Sequence, residues 1–212
     1  MKAFVLACFL LMIALALPAC AGDEADRLAA LLELRPGAAV AEIGAGDGAM
    51  TVEIATRVGA SGRVYATEIE AEKQDAIRAA ARAAGLTNVE VLPAQFTSTG
   101  LPTSCCGAIF MRHVYHHLSD PDAIDRDILR ALRPGGVLVV VDFPPTWYLR
   151  PFTPEGVGAE RSHHGIEPAA ALRELRAAGF EEVQQIDSWN VRWLARDSYA
   201  LVLRRPATTP AP

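Results

Sequence analysis

The sequence predicts an α/β fold, a doubly wound and mostly parallel sheet with an antiparallel edge. Three observations predict it. Val40-Ala41-Glu42-Ile43 reads as a short buried strand that runs straight into Gly44-Ala45-Gly46-Asp47-Gly48, and a helical stretch follows. Strand-like apolar runs then alternate with helical segments along most of the chain. Two further strand-like runs close it, as expected of an antiparallel edge pair.

The chain has 212 residues, a length that fits one domain, and 51% hydrophobic residues to fill its core. A net charge of -5 gives no basic footprint for nucleic acid. Lys2, the apolar run Ala3 to Leu17 and Pro18-Ala19-Cys20-Ala21 have the layout of a secretory signal. The run is short for a membrane span, which needs about 20 apolar residues. Leu17-Pro18-Ala19-Cys20 also resembles a bacterial lipobox, which would leave Cys20 lipidated and first in the mature chain, whereas Ala19-x-Ala21 offers cleavage after Ala21. The expected divisions are therefore a signal at 1–20, a domain at 21–205 and a disordered tail at 206–212. The expected location is exported, either periplasmic or membrane-anchored through Cys20. Cys105 and Cys106 are adjacent, a poor arrangement for an unstrained disulfide, and no C-x-x-C metal pattern exists.

Asp23 to Leu34 is helical, with Leu28, Leu31 and Leu32 on one stripe, and Arg35-Pro36-Gly37 ends it. The first strand is 39–43, and three alternate glycines let the backbone turn tightly with no Cβ facing a ligand. A helix at 49–58 follows, then a turn and the second strand at 63–67, ending in Glu68-Ile69-Glu70. A helix at 71–84 leads to the third strand at 89–92 and to Pro93-Ala94-Gln95-Phe96. The fourth strand, 105–111, ends in Arg112-His113-Val114-Tyr115-His116-His117. A helix at 122–132, capped by Asp120 or Asp122, reaches Arg133-Pro134-Gly135-Gly136 and the fifth strand, 136–141, with Asp142 at its tip. The loop 143–167 is long, rich in proline and glycine, and placed to cover the carboxyl edge of the sheet. A helix at 168–178 and strands at 180–186 and 199–203 complete the chain.

Strand, glycine turn and helix N-terminus together form a nucleotide pocket at the carboxyl edge of a parallel sheet. Gly44, Gly46 and Ala49 also satisfy the dinucleotide pattern G-x-G-x-x-A. Glu42 before the turn, the third alternate glycine Gly48 and the turn 133–136 argue against it. Together they resemble class I S-adenosylmethionine-dependent methyltransferases, whose first motif is an acidic residue followed by G-x-G-x-G. The resemblance spans about Asp23 to Arg205 and implies a Rossmann-like, seven-stranded, mostly parallel sheet with an antiparallel edge.

It implies S-adenosylmethionine as cofactor, held by Glu42, Gly44, Ala45, Gly46, Gly48, Glu68, Ile69, Gln95, Phe96 and Arg112. Glu68 matches the ribose-binding acid, Ile69 would lie against adenine, and Phe96 could stack on it. Many members carry an acid after the third strand; this chain has none there, and the Gln95 amide oxygen can accept the same hydrogen bond. Methyl transfer needs alignment and exclusion of water, and a base only where the acceptor loses a proton. His113 is the first choice for that base, being nearest the strand tip, and Tyr115 the second. His116 and His117 read as packing and capping, and no tight ligand motif supports a metal. The aromatic loop (Phe143, Trp147, Tyr148, Phe152) favours a small, partly hydrophobic acceptor. Two other readings stand beside this one: an exported, non-catalytic binding protein on the same scaffold, and a nicotinamide-dependent oxidoreductase. The sequence leaves the oligomeric state open.

Overall fold

The computed structural model describes residues 20–145, 161–162, 165–192 and 195–207. Residues 1–19 of the expected signal segment, the loop residues Trp147, Tyr148 and Phe152, and His163 and His164 lie outside the described residues.

Seven strands form one sheet: β1 (Ala39–Ile43), β2 (Arg63–Glu68), β3 (Val89–Pro93), β4 (Cys106–Arg112), β5 (Leu132–Asp142), β6 (Glu181–Arg192) and β7 (Ala195–Arg204). Their order is β3-β2-β1-β4-β5-β7-β6. The first five run parallel, and β7 pairs antiparallel to both β5 and β6. Five helices lie between the strands or ahead of them: α1 (Cys20–Leu31), α2 (Ala49–Val58), α3 (Ala71–Ala83), α4 (Pro121–Ala131) and α5 (Pro168–Ala177). Within the long loop, Arg161–Ser162 pairs antiparallel with Gly165–Ile166. No helix among the described residues is long and apolar enough to cross a membrane.

Strand alternation sorts the core into two layers. Val40, Val64, Phe110, Val139 and Val202 face α1 and α2, meeting Leu28, Leu32, Ile54 and Val58. Ala41, Ile109, Met111, Leu138, Val140 and Leu201 face α4 and α5, meeting Ile124, Ile128, Leu172 and Leu175. Both faces are covered, so β4 and β5 read as continuous apolar runs rather than alternating ones.

Three features differ from the sequence reading. β5 begins at Leu132, because Arg205 exchanges backbone hydrogen bonds with Gly135 and Gly136 and draws the expected turn into the ladder. The closing pair is a longer hairpin than 180–186 and 199–203; its polar stretch holds Trp189, 2% exposed beneath α1. Cys105 and Cys106 are joined by a disulfide, which their adjacency spoke against in the sequence. The pair lies at the amino edge of β4, where the register with β5 shifts.

Candidate active site

The carboxyl ends of β1, β2 and β4 open into a cavity of about 580 Å³. Gly44, Gly46 and Gly48 all take left-handed backbone angles, with φ of 67°, 58° and 82°. Each glycine is required differently. A Cβ on Gly44 would sit 2.5 Å from Val114 Cγ2, and one on Gly48 would sit 3.0 Å from the Ile77 backbone. A Cβ on Gly46 would meet nothing within 4 Å, because that residue faces the open cavity. Gly48 caps α2, and the Gly44 and Ala45 amides both donate to Thr67 O.

Glu68 ends β2 at the cavity wall. Its Oε2 accepts from the Gly46 amide at 3.0 Å and its Oε1 from the Ile69 amide at 2.8 Å. A carboxylate offers about four acceptor positions, so room for two more donors remains. Ile69 and Phe96 line the same cavity and are 46% and 67% exposed, an uncovered apolar pair at its mouth. Gln95 lies beside them, its backbone bridged to Ser98.

Across the cavity stand Arg112 and His113. Arg112 reaches Glu24 of α1 at 3.1 Å, and its Nε is buried with no hydrogen-bond partner. His113 is one of three non-glycine residues with positive φ among the described ones, at 57°. Its amide donates to Val141 O at 2.8 Å, and its buried Nε2 has no partner. Burial lowers its pKa below the ordinary 6.5; the Asp142 charge opposes that shift and Arg112 adds to it. At neutral pH the ring is thus uncharged and able to take a proton.

Other predicted residues fall elsewhere. Glu42 shares the strand parity of Val40, so it points beneath α2 and not into the cavity; Thr51 Oγ1 donates to its Oε2 at 2.5 Å. Burial raises its pKa to about 7. Ala45 is buried behind the turn against Ile77. Tyr115 points to the opposite layer, its hydroxyl 2.8 Å from Asp125 Oδ2 and 3.0 Å from Glu174 Oε2. Burial, then the two carboxylates, push its pKa well above the ordinary value, which removes it as a base.

Two groups escaped the sequence reading. Glu24, on a helix whose sequence showed only an apolar stripe, ties that helix to Arg112. Asp142 bonds His116, and only its place at a strand tip signalled a role. Among the described residues no cluster of three or more His, Cys, Asp or Glu side chains is placed to hold a metal ion.

A glycine turn, an acid ending β2 and an open apolar slot beside it border one cavity, the arrangement that the resemblance to class I S-adenosylmethionine-dependent methyltransferases leads one to expect. Comparisons with known proteins agree with that class. The family described as "methyltransferase domain" matches residues 41–140. The chain is 29% identical over 184 residues to nocamycin O-methyltransferase of Saccharothrix syringae, covering 76% of this chain and 66% of that one. It is 28% identical over 173 residues to 24-methylenesterol C-methyltransferase 2 of Oryza sativa subsp. japonica, covering 76% and 46%. The chain thus spans less than two thirds of either relative. Its fold matches a SAM-dependent methyltransferase structure from Aquifex aeolicus with a TM-score of 0.69, at 20% identity over 85% of this chain and 88% of that one. Residues 41–140 are thus similar to the methyltransferase-domain family, and the fold is that of S-adenosylmethionine-dependent methyltransferase structures, a similarity that indicates S-adenosylmethionine as the cofactor.

Proposed function

We propose that this chain transfers a methyl group from S-adenosylmethionine to a small, partly hydrophobic acceptor. One observation carries the reading: Glu68, the open face of Gly46 and the uncharged ring of His113 border a single cavity. The donor, when bound, supplies an already activated methyl group. The Glu68 carboxylate would accept from the ribose hydroxyls, with Ile69, Phe96 and Gln95 around the base. Arg112 offers a cation and an unused Nε–H to an anionic group. His113 would take the acceptor's proton as the new bond forms. The apolar wall of Val114, Leu118 and Ile124 supports the partly hydrophobic character of the acceptor. On the strength of residues 2–21 we also propose export, with the chain periplasmic or held to a membrane through lipidated Cys20.

Calorimetric titration of S-adenosylmethionine and S-adenosylhomocysteine into the purified chain tests the pocket. Micromolar binding is expected, weakened at least about tenfold in Glu68→Ala, which corresponds to about 1.4 kcal/mol. A folded chain that binds neither ligand would remove the enzyme reading and leave a non-catalytic binding protein.

A further inference from the structure

We propose that Asp142 and His116 form a positioning pair that holds His113 at the cavity, an inference that rests on the reading of His113 as the proton acceptor. Asp142 lies at the tip of β5 and is fully buried. Its carboxylate is engaged on three sides. Oδ2 accepts from the His116 amide at 3.0 Å, and Oδ1 accepts from the Phe143 amide at 2.9 Å. Oδ1 also lies 2.8 Å from His116 Nδ1. An ionised carboxylate can only accept, so Nδ1 carries the ring proton and the tautomer of His116 is fixed.

That arrangement reaches His113 through Phe143 and the turn. The His116 ring is 4.8 Å from the Phe143 ring, and the His113 ring meets Phe143 edge-on at 5.5 Å. His116 also lies 3.9 Å from the ring of His117, which lines the cavity. His113 itself sits in a left-handed conformation that a β-carbon disfavours. Such a backbone persists only where its surroundings over-determine it. Here they do: the His113 amide is fixed on Val141 O, and three residues later the His116 amide is fixed on Asp142. The short turn between them has little freedom left.

The pair also acts through charge. Four groups face His113 from the elements around it: Asp142 on β5, Arg112 on β4, Glu24 on α1 and His116 in the turn. The Asp142 and Glu24 carboxylates favour the protonated ring, while Arg112 and His116 disfavour it. Neutralising Asp142 therefore moves the His113 titration to lower pH. A residue with only a packing role would leave the midpoint where it was.

Nuclear magnetic resonance on the full chain reads this without knowledge of the acceptor. In the unmodified protein, long-range nitrogen–proton spectra should show His116 protonated at Nδ1, with His113 titrating below 6.5. In Asp142→Asn the His113 midpoint should fall to lower pH. A folded Asp142→Asn protein whose midpoint is unchanged or higher would overturn the proposal. So would His116 protonated at Nε2 in the unmodified protein, a result that stands even where the variant fails to fold. Calorimetry with S-adenosylhomocysteine on the same samples separates the two inferences. A folded chain that leaves this ligand unbound removes the methyltransferase reading, whereas the spectra decide the pair by themselves.

Discussion

Glu42 shows what a motif conveys about a single residue and what it omits. The sequence places an acid two residues before the first glycine of the turn, and the resemblance assigns it to the cofactor. Strand parity decides otherwise, because Glu42 lies on the face of Val40 and meets Thr51 beneath α2. Gly44, Gly46 and Glu68 were legible because their positions at strand tips follow from the βαβ pattern alone. Tyr115 was not, because a turn just past a strand carries no period from which to read a direction. The burial of Glu42 has a measurable consequence. Its carboxyl ionises near 4.5 in the unfolded chain and holds its proton to about 7 when folded. Between those values the folded state binds the extra proton, so Glu42 makes stability fall as the pH rises from 4.5 to 7 and leaves it level above. Glu42→Gln keeps the acceptor for Thr51 and never ionises. Denaturant unfolding should therefore show the variant more stable than the parent at pH 8, by at most roughly 3 kcal/mol, and nearly equal to it at pH 4.5. Equal stability at both pH values would mean that folding does not raise the Glu42 pKa.

At the scale of elements, apolar periodicity was a sound guide wherever both faces of an element are covered. The first five strands and all five helices follow it. It found the β6–β7 pair but stopped short of the hairpin's far end, because Asp187, Ser188, Asn190 and Ser198 lie between the apolar runs there. What holds that hairpin near the cavity is polar and long-range, which a local pattern cannot encode. Glu24 Oε1 accepts from Trp189 Nε1 and from Asn190 Nδ2, each at 3.1 Å, and Glu24 Oε2 takes Arg112. Arg27 adds a stacked contact, its guanidinium carbon 4.1 Å from the Trp189 ring centre. Burial resists ionisation of Glu24, but the Trp189 hydrogen bond, Arg112 and Asn190 together outweigh it and hold the carboxyl below its ordinary range. The tie therefore persists at neutral pH and is lost only as the pH falls through that lowered value. Glu24→Ala removes all three contacts and leaves Arg112 without its counter-ion, a cost of about 2 kcal/mol. Hydrogen exchange across residues 24–32 should quicken roughly tenfold or more, while α4 on the far face keeps its protection. Unchanged exchange in α1 would mean that Leu28 and Leu32 alone anchor the helix.

For the whole molecule, the question is which compartment brings this pocket its donor. The fold class was legible from end to end, since alternating elements and a closing strand pair admit few topologies. The proposal of export rests on residues 2–21, and there the sequence offers two cleavage points. Cleavage before Cys20 keeps α1 whole, cleavage after Ala21 removes its first two residues, and Glu24 with its bond to Arg112 lies beyond both points. Cleavage before Cys20 with a two-chain lipid on its thiol gives firm membrane attachment, whereas cleavage after Ala21 leaves nothing to anchor. With Cys20 and Glu24 one helical turn apart on α1, a lipid anchor would hold the Arg112 side of the cavity close to the bilayer. An apolar acceptor would then have a short path from membrane to pocket, while the charged donor would have to arrive through water. Intact mass spectrometry of the chain from separated membrane and soluble fractions distinguishes these arrangements. A membrane-bound species lacking residues 1–19 and carrying a lipid mass on Cys20 is the outcome expected of a lipoprotein, and Cys20→Ala should abolish it. A soluble periplasmic species beginning at Gly22 would keep export and remove the anchor. A full-length cytosolic chain would remove export, and with it the difficulty of supplying the donor.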